Sequence, residues 1–531
     1  MRNTLSLLPA LMLATTGCSS GEYNLGRTAG DDADYEESDT AWGGGAFAPE
    51  DPAGDDADFG EPEQEGSFFK LRPAQTDVFV FVANPERDTV TRINVLTREV
   101  DTTDVGSRPG GVVITQDYST AIVLNKGDDS ITIIDADTLE QDVVAVRDNM
   151  NSLRLSPDGA WVALWHDPNA VEEDDPVSQG ATSYNEVSLV EVATGVHTPV
   201  VVGFNPKDIQ FTPTSREAVV VADATMAVLD LTTPDLDLEL VEVSDPLAPP
   251  SAEEVVLAPD GSYAFVRQFG SDALTVVDLV SKDVYEIPVG LNPTDLDLTP
   301  DGEKAVVVSR GAAEISLFDL ADPFAAPEIL AIPNATPFGS VEIDATGTTG
   351  VLYTTAGGLG RYGTWDLASS AIDLKPLPKP IQSVAVTPEG GSLLIVHSTD
   401  DNADGTTPDF YQGLNALSMI DLDDFRANTL TLTAEPAGFA NASNGAYGYV
   451  ILEDRSVVEV LDYSSLIFEE IELRSPAVHI GVLPDLDEAD GDEPPAWISQ
   501  EHPLGRISFF DADDSSLSTI TGFELNSQIE D

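Results

Sequence analysis

The stretch Asn292–Leu320, NPTDLDLTPDGEKAVVVSRGAAEISLFDL, decides the fold. Asp295–Leu298 alternates polar and apolar residues, Ala305–Val308 is a β-branched run, and Ile315–Leu320 alternates again. These are the periods of half-buried and buried β-strands. Between the first two runs lies Pro300-Asp301-Gly302, where proline fixes one φ and glycine tolerates the positive φ that a tight turn needs. The result is a small meander that cannot bury both faces alone, so it must stack on copies of itself.

The copies are present. Paired runs corresponding to Ala305–Val308 and Ile315–Leu320 occur at Val78–Val82 with Val90–Val95, Ala121–Leu124 with Ile131–Asp135, and Trp161–Trp165 with Val187–Val190. They continue at Ala218–Val221 with Ala227–Leu231, Tyr263–Val266 with Leu274–Leu279, and in the opening stretch itself. Val351–Thr354 with Gly363–Leu367, Leu393–Val396 with Leu417–Leu422, Tyr447–Leu452 with Val457–Leu461, and Ala496–Ile498 with Arg506–Phe510 complete ten hairpins. The turn recurs as Ser156-Pro157-Asp158-Gly159, Ala258-Pro259-Asp260-Gly261 and Thr387-Pro388-Glu389-Gly390.

Ten units of about 40 residues have the period of a β-propeller, in which four-stranded blades ring a channel. The reading is an all-β fold over residues 76–531: a single large propeller of four-stranded antiparallel blades, eight to ten in number. Ten units exceed the roughly seven or eight blades usual in such rings. Either one wide ring closes or a terminal unit packs outside a smaller one, and the single ring is favoured. The first unit needs an inner strand, for which Ser67–Leu71 is the available segment.

Phe81-Val82-Ala83-Asn84, Asp88–Asn94 (DTVTRIN) and Val105–Val112 (VGSRPGGV) together resemble the YVTN-type β-propeller repeat of bacterial and archaeal surface proteins. The Gly-x-x-Pro link recurs at Gly203–Pro206 and Gly290–Pro293. The resemblance spans roughly Asp77 to Leu525 and implies the fold. It implies little about function, because its residues build strands and turns.

Composition bounds the partners. The 531 residues carry 24 Lys and Arg against 94 Asp and Glu, a net charge of −70, with 42% hydrophobic residues and one Cys. Such a charge repels phosphate backbones, so no nucleic acid is expected as a partner. Residues 1–18 read as an export signal: Arg2, a short apolar run Leu5–Ala14 too short to span a bilayer, then Thr15-Thr16-Gly17 before Cys18. A Cys directly after small residues resembles the lipobox of bacterial lipoproteins, which implies lipidation at Cys18, although Thr15 stands where that family usually has Leu. Ser19 after the Cys implies outer-membrane sorting by the same analogy. Residues 19–75 are rich in Gly, Asp, Glu and Pro with isolated apolar residues, and are expected to form a disordered acidic tether.

In a propeller the loop between the second and third strands lies on the same face as the links between blades. Two such loops are enlarged, Asp167–Tyr184 and Ser398–Gly413, which makes that face the candidate functional one. Asp400-Asp401-Asn402-Ala403-Asp404-Gly405 fits the start of a calcium loop, with Asp400, Asn402 and Asp404 as ligands. Tyr411 stands where an EF-hand would place its bidentate Glu, so a solvated loop is the competing reading. Asp485–Glu493 and Glu172–Asp175 read as polar loops. His166, Arg267, Arg310 and His397, with His502, fall near the ends of second strands, as ligand-face candidates or simply as polar strand ends meeting water. No nucleophile elbow, zincin helix or phosphate-cradling glycine loop is present.

Two functions fit. One is a membrane-anchored, non-enzymatic propeller that binds a protein, glycan or other envelope component through its loop-bearing face, with no cofactor beyond possible calcium. The alternative is a metal-dependent hydrolase of the lactonase kind, which the propeller resemblance implies, with His166 and His397 as first ligands at the channel mouth.

Overall fold

The computed structural model describes residues 74–76, 78–167, 184–233, 236–244, 252–387, 391–422, 425–442, 446–483, 496–511, 516–525 and 529–530. The signal, Cys18, the tether up to residue 73, most of the Asp167–Tyr184 loop and the Asp485–Glu493 run lie outside them. No helix among the described residues is long and apolar enough to cross a membrane.

The opening stretch forms the sixth of ten antiparallel sheets arranged in sequence order. Its strands are Pro293–Leu298, Lys304–Ser309, Glu314–Asp319 and Glu328–Ala331, each paired to the next. All ten expected hairpins are the second and third strands of these sheets, and the single ring is the observed architecture. The first strands of neighbouring blades approach one another and so line the axis. In the first blade the described inner strand is Ala74–Gln75.

The period-2 pattern is read out as packing between sheets. In the sixth blade Ala305 and Val307 face the fifth blade, beside Phe265, Val276 and Ile287. Val306 and Val308 face the seventh, beside Phe338, Val341 and Trp365. Every blade interior is therefore flanked by two apolar seams, and each fully buried valine contributes about 1.5–3 kcal/mol relative to exposure.

The turns explain part of the acidic excess. Asp301 Oδ1 accepts the Thr299 hydroxyl at 2.6 Å and the Glu303 N–H at 3.0 Å, while Thr299 Oγ1 accepts the Lys304 N–H at 3.0 Å. The same cap recurs at Ser156 and Asp158. Gly302 and Gly159 close these turns at φ 67° and 70°. A second set of acids ends the third strands: Asp278 Oδ1 accepts the N–H groups of Val280 and Ser281, each at 2.8 Å, and Asp135, Asp366 and Asp462 act alike. The hydroxyl and N–H donors hold Asp301 below the ordinary carboxyl range, so its charge is part of the turn.

The opposite face carries the links. Gly127 N–H bonds Ser107 O at 2.9 Å and Arg108 N–H bonds Asp88 Oδ1 at 2.8 Å, so second-strand loops and links share one side. A Cβ on Gly290 would come within 2.6 Å of Ser309 Cβ, and Asn292 before the proline sits at φ 58°. The Gly-x-x-Pro pattern is thus a backbone requirement at its first and third positions.

The tenth blade closes on the first. Val80, Val82 and Ile93 pack against Trp497, Ile507 and Phe509. Gln75 Nε2 donates to Val482 O, Trp497 Nε1 donates to Gln75 Oε1, and Arg87 pairs with Glu524 at 2.9 Å. The tenth blade has a fifth strand, Ile529–Glu530, on its outer edge.

Candidate functional site

The loop-bearing face is built on a polar line that recurs inside the blades. A side chain at the end of the second strand reaches toward a Ser or Thr buried in the third strand. Asn84 Nδ2 donates to Thr91 Oγ1 at 2.9 Å, and Asn125 Nδ2 donates to Thr132 Oγ1 at 2.9 Å. His397 occupies this slot in the eighth blade. Its Nδ1–H donates to Pro380 O at 3.1 Å in the incoming link, and its Nε2 accepts the Ser418 hydroxyl at 2.7 Å. Ser418 continues to Thr429 Oγ1 at 2.7 Å in the fourth strand. Gln500 in the tenth blade does the same work, taking the Arg474 and Ser475 N–H groups at 3.1 Å each and donating to Ser508.

In the fifth, eighth and tenth blades the same slot also bonds the incoming link, through Gln268 to Val243 O, His397 to Pro380 O and Gln500 to the Arg474 and Ser475 N–H groups. His397 is 0% exposed, and burial drives its pKa down to about 4, so it is neutral at pH 7. His166 is also buried, with Nδ1 donating to Asn149 O at 2.8 Å and Tyr184 edge-on at 5.7 Å. His502 lies in the last second-strand loop, where its Nδ1 accepts the Leu504 N–H at 3.2 Å.

The arginines are held as tightly. Arg267 Nε donates to Glu254 at 2.6 Å, with Glu253 at 3.7 Å and Pro293 O at 3.4 Å. Burial lowers its pKa, but Glu254, Glu253 and Asp295 outweigh that and raise it overall. Arg310 is buried, and its N–H bonds Asn292 O at 3.1 Å. Along the axis, Arg154 links the third and fourth inner strands through Asp208 at 3.0 Å and Ile209 O at 2.6 Å. Val341 N–H reaches Asp295 Oδ2 at 2.6 Å between the sixth and seventh. His166, Arg267, Arg310 and His397 therefore sit in four different blades and are not brought together. Among the described residues no group of three His, Cys, Asp or Glu is placed to hold a metal.

The Ser398–Gly413 loop is ordered around a protein cation. Lys379, in the link before the eighth blade, is 0% exposed. Its Nζ donates to Thr399 O at 3.0 Å and Tyr411 O at 3.1 Å, with Asp401 Oδ1 at 3.5 Å. The loop's oxygens converge on this ammonium. Two of the three expected calcium ligands are engaged with other protein groups. Asn402 is buried and spends Nδ2 on Leu377 O, Pro378 O and Thr406 Oγ1 at 3.4, 3.3 and 3.1 Å. Asp404 caps Thr406 and lies 3.8 Å from Arg361, and the Asp400 carboxylate has no bonded partner among the described residues.

Wrapped this way, the loop turns Phe410 outward at 70% exposure, edge-on to Tyr411 at 5.2 Å, with Leu414 also exposed. Across the same face Phe204, 66% exposed, lies 6.3 Å from exposed Tyr184. Sequence reasoning singled out neither Lys379 nor these apolar groups. Phe204 stands at the second position of a Gly-x-x-Pro link, which is the one signal that places it outward.

No protein-family model matches the chain, and no curated protein does. Among solved structures the chain is similar to a eukaryotic initiation factor at 12% identity, covering 82% of this chain and 94% of that one, with a TM-score of 0.49. It is also similar to dihydro-heme d1 dehydrogenase NirN in complex with DHE, at 17% identity over 68% and 75% with a TM-score of 0.44. The Myceliophteria_thermophila Cps50 (Swd1) beta-propeller domain follows at 16% over 56% and 95%, with a TM-score of 0.35. At these values the likenesses carry no conclusion about this chain. The class is set by the strand order: an all-β propeller of ten blades, open to binding or catalysis as a scaffold.

Proposed function

We propose that the protein is an exported, non-enzymatic propeller of the YVTN-repeat kind that binds a protein, glycan or other component of the bacterial cell envelope. The binding surface is the loop-bearing face. Cys18 carries the lipid that holds the chain to the membrane, the outer membrane in this reading, and the acidic tether expected over residues 19–75 ends at 73, because Ala74–Gln75 already pairs as the first blade's inner strand.

One observation carries the binding reading: the loop of the eighth blade is fixed from below by buried Lys379 and presents Phe410 to solvent. Phe410 and Leu414 put two exposed apolar side chains on one ordered, acidic loop, the apolar-centre and polar-rim arrangement of a docking surface. Pre-organisation of the loop lowers the entropy lost on docking. The hydrolase alternative needs convergent metal ligands, and none converge among the described residues.

The test is alanine replacement at Tyr184, Phe204, Phe410 and Leu414, followed by capture of envelope components on immobilised protein. Capture should fall to background while circular dichroism and the unfolding midpoint stay unchanged. Undiminished capture would assign binding to another surface.

A further inference from the structure

We infer that the loop of the eighth blade docks a basic, apolar segment of a partner protein, with Phe410 as the buried anchor. This deepens the reading of the loop-bearing face and rests on it. The Ser398–Gly413 loop carries four carboxylates, Asp400, Asp401, Asp404 and Asp409, together with exposed Phe410, and exposed Leu414 follows it directly. The cations beneath them are already engaged: Lys379 is enclosed by Thr399, Tyr411 and Asp401, and Arg361 lies 3.8 Å from Asp404. With four carboxylates against two cations, the loop presents net negative charge beside exposed apolar groups.

Asp404 stays ionised because the hydroxyl and N–H of Thr406 hold its pKa low, with Arg361 adding to this. Asp409 is touched only weakly, by Gln412 Nε2 at 3.4 Å. Asp400 and Asp409, which no cation among the described residues pairs, share the loop with exposed Phe410, and this combination matches Lys or Arg residues flanking an aliphatic or aromatic one. A second copy of this chain, at −70, is disfavoured by like charge, as are anionic polysaccharide and lipid surfaces.

The test uses fluorescence anisotropy with a labelled 12-residue peptide of alternating Lys and Leu, its Lys/Ser counterpart, and uncharged chitohexaose in competition. The Lys/Leu peptide should bind, and the Lys/Ser peptide should bind at least about tenfold more weakly. Phe410→Ala should weaken the Lys/Leu peptide by about tenfold or more, Phe410→Leu by less, and Asp400→Asn with Asp409→Asn should reduce its salt dependence. Val280→Ser, at an 86% exposed turn on the opposite face, serves as the control and should change nothing. Equal binding by wild type and Phe410→Ala would overturn the inference, because bulk charge alone would then account for it. Displacement by chitohexaose that depends on Phe410, with no peptide binding, would overturn it in favour of a glycan. Either failure would leave the envelope-capture experiment free to uphold the face.

Discussion

His397 gives the sharpest quantitative consequence. Inside the eighth blade it is enclosed, donating to Pro380 O and accepting from Ser418, and its pKa is about 4 against an ordinary 6.5. The sign follows from proton counting. Between these two values the unfolded chain binds the proton and the folded chain does not, so stability is lost as pH falls from 6.5 toward 4. Above 6.5 neither state binds it and the term is absent. The full gap corresponds to about 3 kcal/mol, of which about 2 kcal/mol is lost by pH 5. The fold itself supplies the control substitution, since Gln268 and Gln500 fill the same slot in the fifth and tenth blades. His397→Gln should keep a link contact and remove the titration. His397→Ala should cost about 3 kcal/mol at pH 7.5, from a cavity and two lost hydrogen bonds. Urea unfolding at pH 7.5 and 5.0, with hydrogen exchange of Ser392–Asp421 as the local readout, measures both. Wild type should lose about 2 kcal/mol more than His397→Gln over that pH step. Equal losses in the two proteins would refute the assignment of a neutral, enclosed clamp.

Three further outcomes follow from the geometry. Lys379→Met should leave the ring folded but raise hydrogen exchange across residues 399–413, at a local cost of about 1–3 kcal/mol, and added calcium should not restore protection. Asp301→Ala removes two accepted bonds from one turn and should lower stability by about 1 kcal/mol in urea titration, with the cost vanishing as pH falls through the depressed carboxyl range. Trp497→Ala empties the seam between the tenth and first blades and should cost about 3–5 kcal/mol, read as faster proteolytic cleavage near that seam than elsewhere.

The sequence disclosed the fold because the fold is repetitive and local. Alternation in Asp295–Leu298 and Ile315–Leu320, a Pro-Asp-Gly turn and a Gly-x-x-Pro link each encode a backbone demand that short-range chemistry can state. Repetition then supplied the ring. What faced the solvent was harder. Lys379 sits between Pro378 and Pro380 in a segment that looks like an exposed link, and lysine is almost never enclosed unless paired. Only the tertiary return of Thr399, Asp401 and Tyr411 encloses it. The acid spacing at Asp400, Asn402 and Asp404 matches a calcium loop in composition, while Asn402 bonds Leu377 O and Pro378 O and Asp404 caps Thr406, contacts that spacing does not determine. His397 reads as a functional histidine in isolation. Set in register with Asn84, Asn125, Gln268 and Gln500, it reads as one more polar strand end buried inside a blade, of the kind that Gln268 and Gln500 turn into link clamps, and that alignment of the chain with itself was available from the residues alone.

The central claim is that the face bearing the second-strand loops is covered in use. Hydroxyl-radical footprinting of the protein in intact envelopes, compared with the purified protein, tests it most directly. The account predicts protection of Phe410, Leu414, Phe204 and Tyr184, with Leu96, Val280 and Tyr285 reacting equally in both. Protection of the latter three, with Phe410 as reactive as in the free protein, would contradict it.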